Sequence, residues 1–177
     1  FQRRDYLRGD IALARALELD DRPLPYQLLN ARRKLMRGEL QQVEQIIEKL
    51  KQQDATNIYL LTLQADLLVT QGRYDQAEAL LRQALVVRAT FSLRFSLARV
   101  LYLQRQYSRA LSYTEDLLKD FPIHWESVYL QAMTLLKLDQ TDQALKLSED
   151  FLVREESQGL AHRLVADIKR YRGQEQA

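Results

Sequence analysis

Gly72-Arg73-Tyr74-Asp75-Gln76-Ala77 is a short frame, Gly-x-hydrophobic-x-x-Ala, that returns along the chain at an almost constant interval. Upstream it reads Gly38-Glu39-Leu40-Gln41-Gln42-Val43. Downstream it reads Arg105-Gln106-Tyr107-Ser108-Arg109-Ala110 and then Asp139-Gln140-Thr141-Asp142-Gln143-Ala144. The last residue of the frame falls at 43, 77, 110 and 144, in steps of 34, 33 and 34. A second small residue keeps the same beat at Ala31, Ala65, Ala98, Ala132 and Ala166. Two small positions repeating at this period mark a helix-turn-helix unit that cannot bury its apolar face alone and so stacks on its neighbours. The expected fold is all-α, a solenoid of antiparallel helix pairs.

Composition agrees. Of 177 residues, 46% are hydrophobic, enough for one continuous core. Only five Gly and three Pro are present, which leaves little room for long irregular segments. Leu, Ala, Gln, Glu and Arg dominate and favour helix; Val, Ile and Thr never alternate with polar residues over a strand length. The net charge of +2 gives no general pull toward nucleic acid or an anionic membrane. The absence of cysteine excludes disulfides and thiolate metal sites. No apolar run reaches the 18 residues that would suggest a membrane span. The sequence opens on Phe1 within a helix-like segment, and we read this as a cut or processed N-terminus. Location, in a cytoplasm or a bacterial periplasm, is left open.

Breaks in the helical pattern divide the chain. Residues 1–23 read as an irregular N-terminal repeat: a helix over Phe1 to Arg8, a turn at Gly9-Asp10, and a helix from Ile11 to Asp20 ended by Pro23 and Pro25. Residues 24–158 read as four pairs. Their helices are expected at Tyr26 to Arg37 with Leu40 to Gln52, Asn57 to Gln71 with Tyr74 to Val87, Phe91 to Arg105 with Tyr107 to Asp120, and Trp125 to Leu138 with Thr141 to Arg154. Residues 159–177 read as a capping helix, Gly159 to Arg172, and a tail. Leu60, Leu61, Leu63, Leu67 and Leu68, and again Leu97, Val100 and Leu101, fall three, four and seven apart, as a core-facing stripe requires.

These residues resemble the tetratricopeptide repeat, whose pattern places a small residue, a Gly, a Tyr, an Ala and a Pro at fixed phases. Ile58 to Thr90 matches best, through Leu61, Ala65, Leu68, Gly72, Tyr74, Ala77, Leu81 and Ala84. Phe91 to His124 supplies Ala98, Leu101, Tyr107, Ala110, Leu117 and Pro122. Trp125 to Gln158 keeps Ala132, Leu135 and Ala144 but has Thr141 for Tyr, and Leu24 to Asn57 keeps Ala31 and Gly38 but has Leu40 and Val43. The resemblance implies a right-handed superhelix whose first helices line a concave groove that holds a peptide or protein partner. It also implies a scaffold or adaptor with no catalytic chemistry of its own.

Carried over position by position, the groove-facing phases of the family fall on Leu28 and Arg32, on Tyr59, Thr62, Asp66 and Val69, on Ser92, Phe95, Arg99 and Tyr102, and on Glu126, Tyr129, Met133 and Leu136. The resemblance therefore implies that Arg32, Tyr59, Thr62, Asp66, Phe95, Arg99, Tyr102, Tyr129 and Met133 contact the partner, with the aromatic and Arg side chains as anchors. The Lys and Asn clamp by which one subset of the family holds a C-terminal carboxylate is absent: its phases carry Leu28, Leu29, Arg32, Thr62, Leu63, Asp66, Phe95, Ser96 and Arg99.

Other features have plain structural readings. Between Glu78 and Glu115 there are six arginines and no acid, and from Glu115 to Glu156 acids outnumber bases; one reading is a basic middle that attracts an acidic segment or an anionic polymer, and the better one is solvated faces with ion pairs between repeats. Arg8-Gly9-Asp10 reads as a turn with a cap, and Arg32-Arg33-Lys34 with Arg37 as residues pointing several ways from one helix. His124 and His162 sit in different repeats and offer neither a metal site nor a base for a nucleophile. Trp125 reads as a junction filler, and five scattered glycines make no phosphate-binding loop. No catalytic residue, metal or small-molecule cofactor is expected.

The function expected is a non-enzymatic scaffold for a peptide or protein, with bacterial envelope assembly, secretion or exopolysaccharide export as its setting by family analogy. Two alternatives stay open: a regulatory or spacer module of a larger enzyme, and a self-associating array that stacks through its end helices.

Overall fold

The structure is a computed structural model that describes residues 24–154 and 159–175. The helices expected over Phe1 to Arg8 and Ile11 to Asp20, the Arg8-Gly9-Asp10 turn and both expected junctions, at 23 and 158, lie outside the described residues. Nine helices and no strand occur among the described residues. They are α1 (Leu24–Met36), α2 (Leu40–Asp54), α3 (Ile58–Thr70), α4 (Tyr74–Val87), α5 (Phe91–Leu103), α6 (Tyr107–Asp120), α7 (Trp125–Lys137), α8 (Thr141–Arg154) and α9 (Gly159–Glu175). They fall into two compact units, residues 1–80 and 81–177.

In the first unit α1 packs on both α2 and α3, and α2 packs on α3. Their shared core is Leu28, Ala31, Val43, Ile47, Leu50, Leu60, Leu63 and Leu67. In the second unit each helix from α5 to α8 packs on the next, and α5 also touches α7. Sequence composition follows from that geometry. The first helix of a pair is covered on several sides, so α5 buries Leu93, Ser96, Leu97, Ala98, Val100 and Leu101, and α7 is similarly apolar. The second helix is covered on one side only, so α6 buries Ala110, Thr114 and Leu117 at i, i+4 and i+7 and exposes Arg109, Ser112, Glu115, Asp116 and Lys119.

The phased small residues lie in the core. Ala31, Ala65, Ala98 and Ala132 are at most 1% exposed, and Val43, Ala77, Ala110 and Ala144 are fully buried. The fifth member of the first series departs: Ala166 is exposed, and α9 instead buries Ala161, Leu164, Val165 and Ile168. α9 presents a different stripe: it packs on α8 and reaches the α7–α8 core through Leu164 and Ile168. Its outer face carries exposed His162, Arg163, Asp167, Lys169 and Arg170.

The recurring Gly position also has its reason. Gly38, Gly72, Arg105 and Asp139 all have positive φ, at 77°, 73°, 62° and 55°. Each ends the first helix of a pair with the same two hydrogen bonds. At Gly72 its N–H donates to the Val69 carbonyl (3.0 Å) and the Arg73 N–H to the Leu68 carbonyl (2.8 Å). At Arg105 the acceptors are Tyr102 (3.0 Å) and, for the Gln106 N–H, Leu101 (2.9 Å). This left-handed stop satisfies carbonyls that would otherwise be orphaned. It also closes the first helices a residue or two before the sequence pattern suggests, at Met36, Thr70, Leu103 and Lys137.

The reverse turns, from second helix to next first helix, rely on caps. The Asn57 side chain accepts from the Tyr59 and Leu60 N–H groups at 3.0 and 3.3 Å, and the Thr90 hydroxyl from the Leu93 N–H at 3.4 Å. His124 does the same for α7, its Nδ1 accepting from the Ser127 N–H at 3.2 Å. The Asp54 carboxylate accepts from the Thr56 hydroxyl (2.9 Å) and N–H (3.0 Å), and these bonds hold its pKa below the ordinary value.

Candidate partner-binding face

Within the second unit, Phe95, Arg99 and Tyr102 stand at i, i+4 and i+7 on α5, and so share one face of the helix. Tyr129 and Met133 stand at i and i+4 on α7. α5 and α7 touch, and the phenols of Tyr102, Tyr107 and Tyr129 come together as one patch. The Tyr102 phenol is common to both contacts. Its pKa is raised, first by burial and then by the neighbouring Tyr107 and Tyr129 phenols, so it stays protonated as a hydrogen-bond donor. The Tyr102 and Tyr107 rings are 5.5 Å apart. Tyr129 is 47% exposed and leans on Trp125 at 5.9 Å.

The phenylalanine end of the patch is also a structural joint. Phe95 stacks on Phe91 at 6.3 Å and meets the edge of His124 at 5.5 Å, while Phe91 meets Phe121 at 4.7 Å and His124 at 4.5 Å. Phe95 thus shares its surface between the joint and the patch. Met133 is likewise half-buried against the core of α7, α8 and α9. Trp125 fills a junction, 5.7 Å from Phe151.

In the first unit Arg32 is exposed on α1, Tyr59 is 64% exposed on the first turn of α3, and Asp66 is half-buried one stripe further along that helix. Thr62 is 3% exposed, and its hydroxyl donates to the Ile58 carbonyl at 2.7 Å. Its polar group is spent on the backbone and its side chain is covered, so the structure removes Thr62 from any contact surface. Conversely, Tyr107 belongs to the tyrosine cluster but opens the second helix of its pair. At that phase the repeat pattern reads a Tyr as packing, and no periodicity separates the two roles.

The charged segments behave as solvated faces. Arg94 pairs with Asp120 at 2.9 Å, Asp142 with Arg172 at 3.1 Å, and Glu149 with Lys169 at 3.0 Å. In the Arg32-Arg33-Lys34 run, Lys34 turns back to Glu39 at 3.0 Å. His124 lies 3.3 Å from the Glu126 carboxylate, and His162 is exposed on α9. Among the described residues no group of His, Cys, Asp or Glu is arranged to hold a metal, and no helix is long and apolar enough to cross a membrane. An open depression on α2, lined by Gln41, Glu44, Gln45, Glu48, Lys49 and Gln52, involves the polar side of a single helix.

Comparison with known proteins agrees with this architecture. No curated protein matches the sequence. Among solved structures, TTC0263, a thermophilic TPR protein of Thermus thermophilus, superposes with a TM-score of 0.79 at 18% identity, over 94% of this chain and 93% of that one. YrrB, described as a TPR protein with an unusual peptide-binding site, gives a TM-score of 0.61 at 18% identity over 92% and 84% of the two chains. MamA (AMB-1) gives 0.61 at 18% identity over 84% and 88%. The model of the tetratricopeptide repeat family matches residues 62–122 and again residues 95–159, together more than half of the sequence. The chain belongs to the tetratricopeptide repeat family.

Proposed function

We propose that the chain is a non-catalytic scaffold that takes up a peptide or protein partner through the first helices of its pairs. The observation that supports this reading is the tyrosine patch of the second unit, where the Tyr102 phenol lies near those of Tyr107 and Tyr129 and Tyr129 is 47% exposed. Tyrosine and arginine in such surroundings are the residues on which interfaces concentrate their binding energy. Their rings offer large area at little cost in side-chain entropy. A related fold, YrrB, is described as having a peptide-binding site. The residues proposed for contact are Arg32, Tyr59 and Asp66 in the first unit, and Phe95, Arg99, Tyr102, Tyr129 and Met133 in the second. Envelope assembly, secretion or polymer export in a bacterium is the proposed setting, supported by family analogy alone.

The test is a double substitution, Tyr102→Ala with Arg99→Ala. Partners captured by the wild-type chain in a pull-down are expected to be lost, while circular dichroism shows unchanged helicity. Recovery of the same partners by the variant would refute the assignment.

A further inference from the structure

Resting on the reading that the tyrosine patch takes up a peptide, we infer that its partner is a proline-rich segment in the polyproline II conformation, uncharged where it meets Tyr102, Tyr107 and Tyr129.

The charges around the patch are engaged or stand apart from it. On α5, Arg94 pairs with Asp120, and Arg99 is engaged within the chain with its Nε buried. On α7, Glu126 lies 3.3 Å from His124 Nε2, and Lys137 stands more than two turns beyond Tyr129 at the other end of the helix. Beside Tyr107 on α6, Arg109 bonds to Gln106. Arg105, in the turn between α5 and α6, is exposed, where water and salt screen its charge. Charge therefore selects no partner here.

Hydrogen bonding does select. The patch offers three phenols, and the Tyr102 phenol stays protonated as a donor. The main-chain groups of the helices beneath are spent on one another. An extended strand brings N–H groups as well as carbonyls, and helices have no free main-chain edge to pair with them. A helical partner satisfies its own carbonyls and leaves the phenols unused. A polyproline II segment has no internal hydrogen bonds, so its carbonyls are open to the phenols, and each proline lacks the N–H that would need an acceptor. Proline rings pack on aromatic faces, and the patch supplies them at fixed tilts. Tyr102 and Tyr107 are 5.5 Å apart, and Tyr129, 47% exposed, is held against Trp125 at 5.9 Å. The segment's conformation exists before it binds, so little ordering entropy is lost.

Fluorescein-labelled peptides test this by anisotropy: one of repeated Pro-Pro-Ala, one of the same length with every proline replaced by serine, and the proline-rich peptide flanked by Asp or by Lys. The proline-rich peptide is expected to bind about tenfold tighter than the serine one, with little change as salt is added. The Asp-flanked and Lys-flanked versions are expected to bind alike. Tyr102→Phe, which keeps the ring and removes the donor, is expected to weaken binding about threefold. Tyr129→Ala, at an exposed position, is expected to weaken it about tenfold with helicity unchanged by circular dichroism. Equal binding of the proline and serine peptides, or a tenfold preference for one flanking charge, overturns the proline-rich assignment. So does failure of the proline-rich peptide to bind. The pull-down described above then decides whether the patch itself stands: loss of partners in the double variant keeps it as a site for another ligand. Wild-type affinities in both Tyr102→Phe and Tyr129→Ala overturn the patch as the place where the peptide binds.

Discussion

At the scale of single residues, the four left-handed turns give the sharpest expectations. Gly38 and Gly72 adopt positive φ at no steric cost, whereas Arg105 and Asp139 hold the same conformation with a Cβ. Replacing Arg105 by Gly is expected to stabilise the protein by about 0.5–1 kcal/mol, the strain relieved less the entropy that Gly adds to the unfolded chain. Asp139→Gly is expected to give less, since Asp visits this region more readily. A Cβ on Gly72 would meet nothing within 4 Å, so the cost of Gly72→Ala, about 1–2 kcal/mol, is conformational. Urea denaturation of the three variants checks the order. A destabilised Arg105→Gly would show that the arginine side chain contributes more than its backbone strain removes. The glycine phase was legible in the sequence because the same φ is demanded once per repeat. The role of Tyr107 was not, since packing at a repeat phase and contact with Tyr102 require the same residue type. Nor was the burial of Thr62, because a one-position rotation about a helix moves a side chain from surface to core.

At the scale of elements, the small residues control how closely helices approach. Ala77→Leu and Ala110→Leu place a branched side chain where exposure is zero, and overpacking of this kind is expected to cost about 1–3 kcal/mol. Thermal melts indistinguishable from wild type in both variants would rule out this packing role. Helix α9 is a second case. It covers the core with Ala161, Leu164, Val165 and Ile168 and fastens its rim through Lys169 to Glu149 and Arg172 to Asp142. Ending the chain after Arg154 uncovers Leu135, Leu136 and Phe151, and is expected to lower the melting temperature and promote aggregation in a concentration-dependent way, readable by light scattering. The buried face of α9 differs from the one the repeat phase suggests, because Ala161, Leu164, Val165 and Ile168 fall on one stripe at i, i+3, i+4 and i+7 and Ala166 lies off it.

At the scale of the whole molecule, a repeat chain is held by neighbour contacts, so stability is distributed along it rather than gathered in one centre. Within the second unit, α7 packs on α5, α6 and α8, whereas α9 packs on α8. Amide hydrogen exchange is therefore expected to be slowest in α7 and faster in α9. Protection highest in α9 would contradict a nearest-neighbour architecture. The overall fold was readable because each repeat restates the same constraint, so an error in one unit is corrected by the next. The proposed contact residues were less readable for the opposite reason: Phe95, Arg99, Tyr102 and Tyr129 occur once each at their phases, and no other repeat restates them.

The two hydrogen bonds that close each left-handed turn involve only main-chain atoms, whether the residue there is Gly, Arg or Asp. The hinge of every hairpin is thus independent of the side chains on either arm. The stretch between two successive joints, the second helix of one pair followed by the first helix of the next, is therefore expected to be exchangeable for another such stretch without redrawing the backbone of either turn.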